Sequence, residues 1–436
     1  MLNKLKLLYA KSPSFIKILY GTIPNKIKYG KVYRKWNQII KEGQDLNRNP
    51  FITLEFALKN FQFYKDLYVN ININEWHSIP LLDKETIQEK LPEFELKKIK
   101  KFYITTGGVT GAPAMFYQSN NVWFKEMAFL YGFFSISGYT SPILKASFRG
   151  GDFSKLKDDK YWFYNPHHYE IHFSPFHLND QTIYSYVEKL NKVKPLFFHG
   201  YPSVFITLAK YMSNAGLKLQ YKPKCVFLIS EGYDKKDILY LKSFFNCEIS
   251  SFYGQSERLV FAIADESLET YKVDQNYGYF ELVDKSGNII KKNNIEGEIV
   301  ATSYDNFAMP LIRYKTGDFT SYFDFESKVF KKITGKWGQQ FLYGFKKEEI
   351  SLTALNLHSE ELNEVIKIQF IQEKLGEIKV FILLKSNKNQ YLIEKIQSLL
   401  NNRVDNVAKF KIYETTDFIK SSRGKLPLIV SRFNNK

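Results

Sequence analysis

Cysteine is scarce in this chain, which has Cys225 and Cys247 among its 436 residues. Two cysteines without C-x-x-C spacing argue against a disulfide framework and against the common zinc motifs. Long apolar runs are missing too, since the stretch from Met127 is broken by serine and glycine before the roughly 18 residues that a membrane span needs. The N-terminal segment repeats lysine too often to form the apolar core of a signal peptide, so we expect a retained, cytoplasmic protein.

Two widespread catalytic signatures are also absent. The sequence has no G-x-x-x-x-G-K-[ST] phosphate loop and no G-x-S-x-G nucleophile elbow. Their absence argues against a P-loop nucleotidase and against an α/β-hydrolase.

Acidic residues are under-represented, because 62 Lys and Arg face 45 Asp and Glu to give a formal net charge of +17. Residues 1–50 hold eleven of the basic residues against Glu42 and Asp45, so this segment carries +9. A lysine-rich composition on a solvated helical face explains the excess, and peripheral contact with the inner face of the membrane is the functional alternative. No nucleic-acid motif accompanies the charge, so we expect no nucleic-acid partner.

The order of patterns along the chain predicts an α/β fold. Residues 1 to about 95 show helical periodicity, notably over 33–47 and 52–68. Strand-like runs then alternate with amphipathic stretches, and a β-rich section follows with a turn signal at Ser286-Gly287-Asn288. The strand-like runs cover 195–203, 224–230 and 247–254, and the amphipathic stretches cover 184–193, 204–216 and 235–245.

After about residue 336 the character of the sequence changes. Strand-like alternation over 364–372 and 378–384 is followed by a helical face that carries Leu392, Ile396, Leu399 and Leu400. We therefore predict a large N-terminal α/β layered domain with a β-rich subdomain over 1–335, and a small, mobile C-terminal α+β domain over 336–436.

Four motifs suggest chemistry. The segment from Thr105 to Pro113, TTGGVTGAP, mixes glycine with threonine, as phosphate-cradling loops do. Taken alone, such a segment is better explained as a structural turn. YGQSE at 253–257 follows a strand-like run and offers a carboxylate and an aromatic ring. TGD at 316–318 places an aspartate in a turn, where it can accept hydrogen bonds from ribose hydroxyls. SSRGK at 421–425 ends in a lysine beside glycine.

The order and spacing of these motifs resemble the adenylate-forming superfamily, in particular the branch of phenylacetate–CoA ligase and the CapK-type proteins of capsular polysaccharide clusters. The likeness extends over nearly the whole chain. HGYPS at 199–203 and ISEGY at 229–233 also match that branch, in which they border the acyl and adenine sites.

The resemblance implies a two-step reaction. ATP and a carboxylic acid would give an acyl-adenylate and pyrophosphate, and the thiol of CoA, or an amine or hydroxyl acceptor, would then displace AMP. Glu257 would bind Mg²⁺, Lys425 would stabilise charge at the α-phosphate, and Asp318 would hold the ribose. The resemblance assigns phosphate binding to Thr105, Thr106, Gly107, Thr110 and Gly111. It assigns contacts with the rest of the nucleotide to Ser230, Glu231, Gly232, Tyr253, Gly254 and Ser256, and binding of the acid to His199, Gly200, Tyr201 and Arg313. For Arg313, a structural salt bridge is an equally good interpretation.

The chain departs from the family pattern at two places. Ala112 replaces the lysine that usually precedes the proline of the phosphate loop, and Lys336 replaces an arginine at the domain junction. These departures keep a second hypothesis open, in which the protein is a catalytically weak nucleotide-binding assembly partner of a glycan pathway.

A histidine cluster needs separate interpretation. Four of the seven histidines lie close together in the sequence, at His167, His168, His172 and His177, and their spacing could suit zinc. Because no cysteine or carboxylate motif completes a tetrahedral set, we favour substrate-pocket or surface roles and keep metal binding as the alternative.

Overall fold

The computed structural model describes residues 19–106, 114–151, 153, 156, 160–333, 341–352, 355, 357, 359–384, 389–419 and 428–431. The first helices are α1 (Asn25–Lys28), α2 (Gly30–Glu42), α3 (Phe51–Asn60), α4 (Gln62–Leu67) and α5 (Lys84–Glu89). The longer helices that follow are α6 (Asn120–Ile136), α7 (Ile183–Val193), α8 (Pro202–Asn214), α9 (Lys235–Phe245) and α10 (Gln390–Val404).

The N-terminal region is helical, as predicted, with one difference. In α2, Tyr33, Trp36 and Ile39 recur at helical spacing and are buried, and the helix ends at Gly43 in the left-handed conformation. The run over 52–68 forms two helices, α3 and α4, instead of one. The break occurs at Phe61, whose extended backbone directs a fully buried ring into the core. Periodicity does not reveal this break, because Phe61 continues the apolar pattern.

A large mixed sheet organises the middle of the chain. Twelve of the described strands pair in the order β11-β12-β13-β14-β10-β9-β8-β7-β6-β3-β5-β4. Neighbours among β3, β5, β6, β7 and β8 run parallel, while the strands from β9 to β14 form the antiparallel, β-rich half. The strands are β3 (Lys145–Phe148), β4 (Trp162–Asn165), β5 (Glu170–Phe173), β6 (Phe197–Gly200), β7 (Cys225–Leu228), β8 (Glu248–Gly254), β9 (Phe261–Ala264), β10 (Thr270–Val273), β11 (Gly278–Val283), β12 (Glu296–Ser303), β13 (Tyr314–Asp324) and β14 (Val329–Lys331).

Helices cover both faces of the parallel strands. Phe197 and Phe227 pack with α6. Their neighbours along β6 and β7, Phe198 and Val226, pack with α8 and α9. This alternation follows from the period of two in a strand, and burial on both faces is typical of parallel sheets. The three strand-like runs and three amphipathic stretches predicted for this region are confirmed as β6, β7, β8, α7, α8 and α9.

The turn predicted at Ser286–Asn288 is present, because Gly287 adopts φ +85° and donates its backbone hydrogen bond to Asp284. The chain reverses tightly there, since Val283 pairs antiparallel with Ile289 and the Ile290 N–H donates to the Leu282 carbonyl at 2.8 Å. The longer strand that pairs with β11 begins at Glu296. β1 (Lys101–Thr106) and β2 (Ala114–Ser119) form a separate antiparallel pair, and they flank the glycine-threonine segment.

The C-terminal part is a small α+β unit. Four described strands pair in the order β19-β18-β17-β20, and α10 covers them with Ile396 and Leu400 fully buried. The strands are β15 (Phe341–Tyr343), β16 (Glu349–Ser351), β17 (Val365–Lys374), β18 (Glu377–Leu384), β19 (Lys409–Glu414) and β20 (Ile429–Ser431). A large sheet with helices on its faces, joined to this small unit, confirms the predicted fold class. In the part of the chain that the structure describes, no helix is both long and apolar enough to cross a bilayer.

Candidate functional site

Three of the predicted segments lie at one edge of the large sheet. His199–Tyr201 ends β6, Ser230–Gly232 follows β7, and Tyr253–Glu257 ends β8. These strands are parallel and in register, with Gly200 opposite Leu228 and Leu228 opposite Ser251. Their carboxyl ends therefore lie side by side, which is where open α/β sheets bind ligands.

The structure joins the YGQSE and TGD motifs directly. The Tyr253 hydroxyl donates a hydrogen bond to Asp318 Oδ2 at 2.8 Å, and it accepts one from Gln255 Nε2 at 3.2 Å. Both Tyr253 and Asp318 are buried. Burial, and then the charge of Asp318, raise the pKa of Tyr253 well above its ordinary value, so the hydroxyl stays protonated and acts as the donor.

An irregular turn in β13 presents Asp318 to this site. Gly317 has φ +76°, and its backbone N–H donates to Glu298 Oε1 at 3.0 Å. The Thr316 hydroxyl donates to the Ile299 carbonyl at 2.9 Å and accepts from the Asp318 N–H at 3.1 Å. The register of β13 against β12 shifts over the same residues. Glycine at 317 is what permits this left-handed turn.

Glu257 lies close to the strand that follows the glycine-threonine segment. The buried Gln118 of β2 donates from Nε2 to the Ser256 carbonyl at 2.8 Å, and the Tyr314 hydroxyl donates to Glu257 Oε1 at 3.3 Å. The carboxylate predicted to bind metal is thus held between β2 and β13. Such an oxygen donor suits Mg²⁺, which prefers carboxylates together with phosphate oxygens.

Several predicted residues lie outside the described part of the chain. These are Gly107, Thr110, Gly111 and Lys425, together with Ala112 and Lys336. Thr105 and Thr106 close β1, opposite Met115 and Ala114. Their predicted contacts with phosphate stay predictions, as does the catalytic role of Lys425.

The turn after β7 is tied to the start of α8. Ser230 adopts φ +62°, and the buried carboxylate of Glu231 accepts a hydrogen bond from the Ser203 backbone N–H at 3.2 Å through Oε2. This contact fixes the predicted adenine turn against the helix that follows β6. An acidic side chain also interacts favourably with the positive end of that helix.

The predicted acyl side is polar. His199 is buried with its ring 5.2 Å from that of Phe134, and Nδ1 makes no hydrogen bond with a described residue. Burial, and then the Arg149 charge, lower the pKa of His199 well below its ordinary value, so the ring is neutral at pH 7. The Tyr201 hydroxyl accepts from the Gly150 N–H at 3.2 Å. A β-carbon at Gly200 would lie 2.1 Å from the Phe148 carbonyl oxygen, so glycine is required there.

Sequence reasoning missed a charge network beside these residues, in which Lys145 and Glu170 are buried and Arg149 is partly buried. Arg149, at the carboxyl end of β3, pairs with Glu170 Oε1 at 3.0 Å, and Lys145 pairs with Glu170 Oε2 at 3.2 Å. Burial would raise the pKa of Glu170, but Lys145 and Arg149 outweigh it and hold that pKa well below its ordinary value. The only signal in the sequence is the Arg149-Gly150-Gly151 run directly after a strand-like segment.

Arg313 lies within the protein core. The residue is 1% exposed, and its Nη1 donates to the carbonyls of His77 and Ile79 at 3.1 and 2.6 Å. Its Nε donates to Glu281 Oε2 at 3.3 Å, which forms a buried ion pair. These contacts agree with the salt-bridge interpretation, while a direct role with substrate stays a prediction.

The rings of His167 and His168 meet edge to face at 4.7 Å, whereas His172 and His177 have separate surroundings. His172 Nε2 is hydrogen-bonded to the Arg149 carbonyl at 2.9 Å, whereas His177 Nδ1 contacts Ser174 Oγ at 2.7 Å and its Nε2 lies 3.3 Å from Asp405 Oδ2. Among the described residues, no group of three or more His, Cys, Asp or Glu side chains is placed to hold a metal ion.

The C-terminal unit contacts the large domain beside these residues. Asn179 Nδ2 donates to Glu348 Oε1 at 3.2 Å, and the Thr207 hydroxyl donates to Glu349 Oε2 at 3.1 Å. Apolar residues of β15 to β19 also join the core cluster that contains α8. The predicted mobility of the C-terminal unit stays a prediction.

Comparison with known proteins adds three findings. Residues 342–432 match the CapK C-terminal domain family. The whole chain is similar to Protein CapK of Staphylococcus aureus, with 25% identity over 97% of this chain and 96% of that protein. Among solved structures, it is similar to 2-hydroxyisobutyryl-CoA ligase in complex with 2-HIB-AMP and CoA in the thioesterification state, with a TM-score of 0.52, 15% identity and coverage of 94% of this chain and 91% of that one.

A second structure of the same ligase, in the postadenylation state with R3-HIB-AMP, gives a TM-score of 0.50 at 13% identity, over 94% of this chain and 91% of that chain. At such identities the likeness establishes the fold. The chain therefore shares the fold of this CoA ligase.

Proposed function

We propose that the chain is a CapK-type member of the adenylate-forming superfamily and that it activates a carboxylic acid with ATP. The observation that carries this proposal is the contact between Tyr253 and Asp318, which unites two motifs 65 residues apart at the carboxyl edge of the parallel strands. The similar ligases hold an acyl-adenylate, which supports the same chemistry here.

In the first step, a carboxylate oxygen of the acid forms a bond to the α-phosphorus of ATP, and pyrophosphate leaves. Asp318 accepts hydrogen bonds from the ribose hydroxyls, since a buried carboxylate oriented by Tyr253 has its acceptors fixed before the nucleotide arrives. Glu257 holds Mg²⁺, which when bound offsets the negative charge of the phosphates. Lys425 stabilises charge at the α-phosphate, and Arg149, His199 and Tyr201 surround the acid.

In the second step, we infer that the thiol of CoA attacks the acyl carbon and AMP leaves with the bonding electrons. One similar ligase structure holds CoA together with its adenylate, which supports a thiol acceptor. An amine or hydroxyl of a glycan is the alternative that the likeness to Protein CapK keeps open. Mass spectrometry of the products, with CoA or an amino sugar supplied, distinguishes the acceptors.

Pyrophosphate release tests the first step. The protein is mixed with ATP, Mg²⁺ and a panel of carboxylic acids, and we expect release with at least one acid. Glu257→Gln should lower that rate by about 100-fold or more, as removal of a group that stabilises transition-state charge usually does. Glu266→Gln changes an exposed carboxylate nearby and should leave the rate unchanged.

The second hypothesis, a nucleotide-binding assembly partner, predicts a different result. Such a protein would bind ATP and release no pyrophosphate with any acid, and Glu257→Gln would then change only nucleotide affinity. Release that is equal in the wild type and Glu257→Gln would contradict the proposed role of this carboxylate.

We also infer peripheral membrane contact from the basic N-terminal segment. Five basic side chains of the described α1–α2 region are exposed. They are Lys26, Lys31, Arg34, Lys35 and Lys41. Co-sedimentation with vesicles of anionic lipid should be lost at high salt, and vesicles of neutral lipid should not retain the protein. Equal retention by both kinds of vesicle would contradict an electrostatic contact.

A further inference from the structure

A pocket of about 500 Å³ lies beside the β-rich half of the large sheet. Among the described residues, none of those assigned to adenylate chemistry lines it. Along β11, Tyr279 and Glu281 alternate with Phe280, and Phe280 stacks on Phe330, whose ring contacts Tyr253. The side chains of Tyr279 and Glu281 therefore project from the opposite face of β11 to Phe280, and Phe280 and Tyr322 also line the pocket. The volume is within the range of small-molecule sites.

The pocket contains an incompletely hydrogen-bonded buried carboxylate. Glu281 is 2% exposed, and its Oε2 accepts from Trp76 Nε1 at 2.9 Å and from Arg313 Nε at 3.3 Å. Its Oε1 is buried and accepts no hydrogen bond from a described residue. A buried acceptor without a hydrogen-bond donor lowers the free energy of unfolding, so a donor is expected to satisfy it. A ligand with an O–H or N–H donor at this depth would supply that partner.

Aromatic side chains form much of the wall. Trp76 and Tyr279 meet edge to face at 5.3 Å, and Tyr322 and Phe325 do so at 5.2 Å. Rings arranged in this way offer flat apolar faces and hydroxyl edges, so they suit a ligand that is itself a ring with polar substituents.

Two lysines bring positive charge to the pocket. Lys291 is exposed, and Lys328 is partly buried with Nζ 3.6 Å from the centre of the Phe325 ring. Neither lysine pairs with a carboxylate in the described part of the chain. Burial lowers the pKa of Lys328; the charge of Glu326 opposes that shift and the charge of Lys291 adds to it, so the two cations are near enough to repel each other. An anion between them would relieve that repulsion.

We propose that this pocket binds a small phosphorylated ring compound, with its phosphate at Lys291 and Lys328 and a hydroxyl or N–H of the ring donating to Glu281 Oε1. A sugar phosphate and a nucleoside monophosphate share this chemistry. The site is separate from the one proposed for adenylation, and its occupancy does not depend on that proposal.

Isothermal titration of the full chain tests the assignment, with inorganic phosphate, glucose 1-phosphate and UMP as separate probes. We expect one of the two ring compounds to bind at least tenfold more tightly than inorganic phosphate. Lys328→Ala and Lys291→Ala should each weaken that binding about tenfold, as loss of a charge-assisted contact does. Lys292→Ala, an exposed neighbour that does not line the pocket, is the matched control and should bind as the wild type does.

Two further variants locate the ligand. Glu281→Gln should weaken binding of the ring compound and leave binding of inorganic phosphate unchanged. If Glu281→Gln does not fold, Tyr279→Leu tests the same prediction. Asp318→Asn, which disables the proposed adenylation site, should leave binding unchanged. The proposal is overturned if no probe binds, if inorganic phosphate binds as tightly as both ring compounds, or if the Lys328→Ala and Lys291→Ala variants bind as the wild type does.

Discussion

Replacing Arg313 decides between its structural and substrate roles. Arg313→Met removes the cation that pairs with Glu281 and the Nη1 donor to the His77 and Ile79 carbonyls. Both members of the pair are 2% exposed at their side chains. Breaking a buried pair leaves an uncompensated charge, so the free energy of unfolding should fall by about 3–5 kcal/mol. Urea denaturation followed by tryptophan fluorescence measures the loss.

A neighbouring pair provides the control. Lys315 lies 3.3 Å from Glu298, but its side chain is 40% exposed. Lys315→Met should therefore cost no more than about 1 kcal/mol, as exposed pairs do. The double variant Glu281→Leu/Arg313→Met should be more stable than Arg313→Met, because it removes both buried charges together. An Arg313→Met protein that unfolds at the wild-type urea concentration, yet loses affinity for the acid, would refute the structural reasoning.

Three further predictions concern catalysis, nucleotide binding and pH. Lys425→Ala should slow pyrophosphate release, while the affinity for ATP, measured by titration, should change little. Arg423→Ala should slow pyrophosphate release less than Lys425→Ala does. The reverse ranking would assign the catalytic role to Arg423. Tyr253→Phe should weaken AMP binding by about tenfold or more, since it removes a hydrogen bond to a charged carboxylate, and unchanged affinity would contradict that contact. Burial, and then the charge of Arg149, lower the pKa of His172 to about 4, so as the pH falls from 6.5 to 4 the unfolded chain takes up a proton before the folded one and the free energy of unfolding declines. His172→Gln should make that decline shallower by at most about 1.4 kcal/mol per pH unit, as measured by urea titrations at several pH values. An unchanged slope would contradict this prediction.

Much of the fold could be predicted because its signals are local. The alternation that gave β6, β7, β8 and the helices between them depends on neighbouring residues along the chain, and the same is true of the strand patterns of β17 and β18 and of the apolar face of α10. The position of the helix break at Phe61 was not predictable, since an aromatic residue fits an apolar helical face and a buried turn equally well.

The candidate site was predicted in its parts and not in its contacts. Motif order alone indicated the Tyr253, Glu257 and Asp318 segments. The pair of Arg149 and Glu170 was not predicted, because single charged residues form no periodic pattern in the sequence. Their role can be inferred only once the partner of each is known.

The sequence by itself determined the types of element, their order and the positions of the motifs, because these depend on short-range periodicity and on glycine at turns. Tertiary structure decided which of these segments meet. Tyr253 contacts Asp318 although β14, β10 and β9 stand between β13 and β8 in the strand order, so this contact is a tertiary one. Burial of Arg313 against Glu281 likewise depends on the segment at 76–79 folding over β11. Such long-range pairings follow from the order of strands across the sheet, which no local pattern encodes.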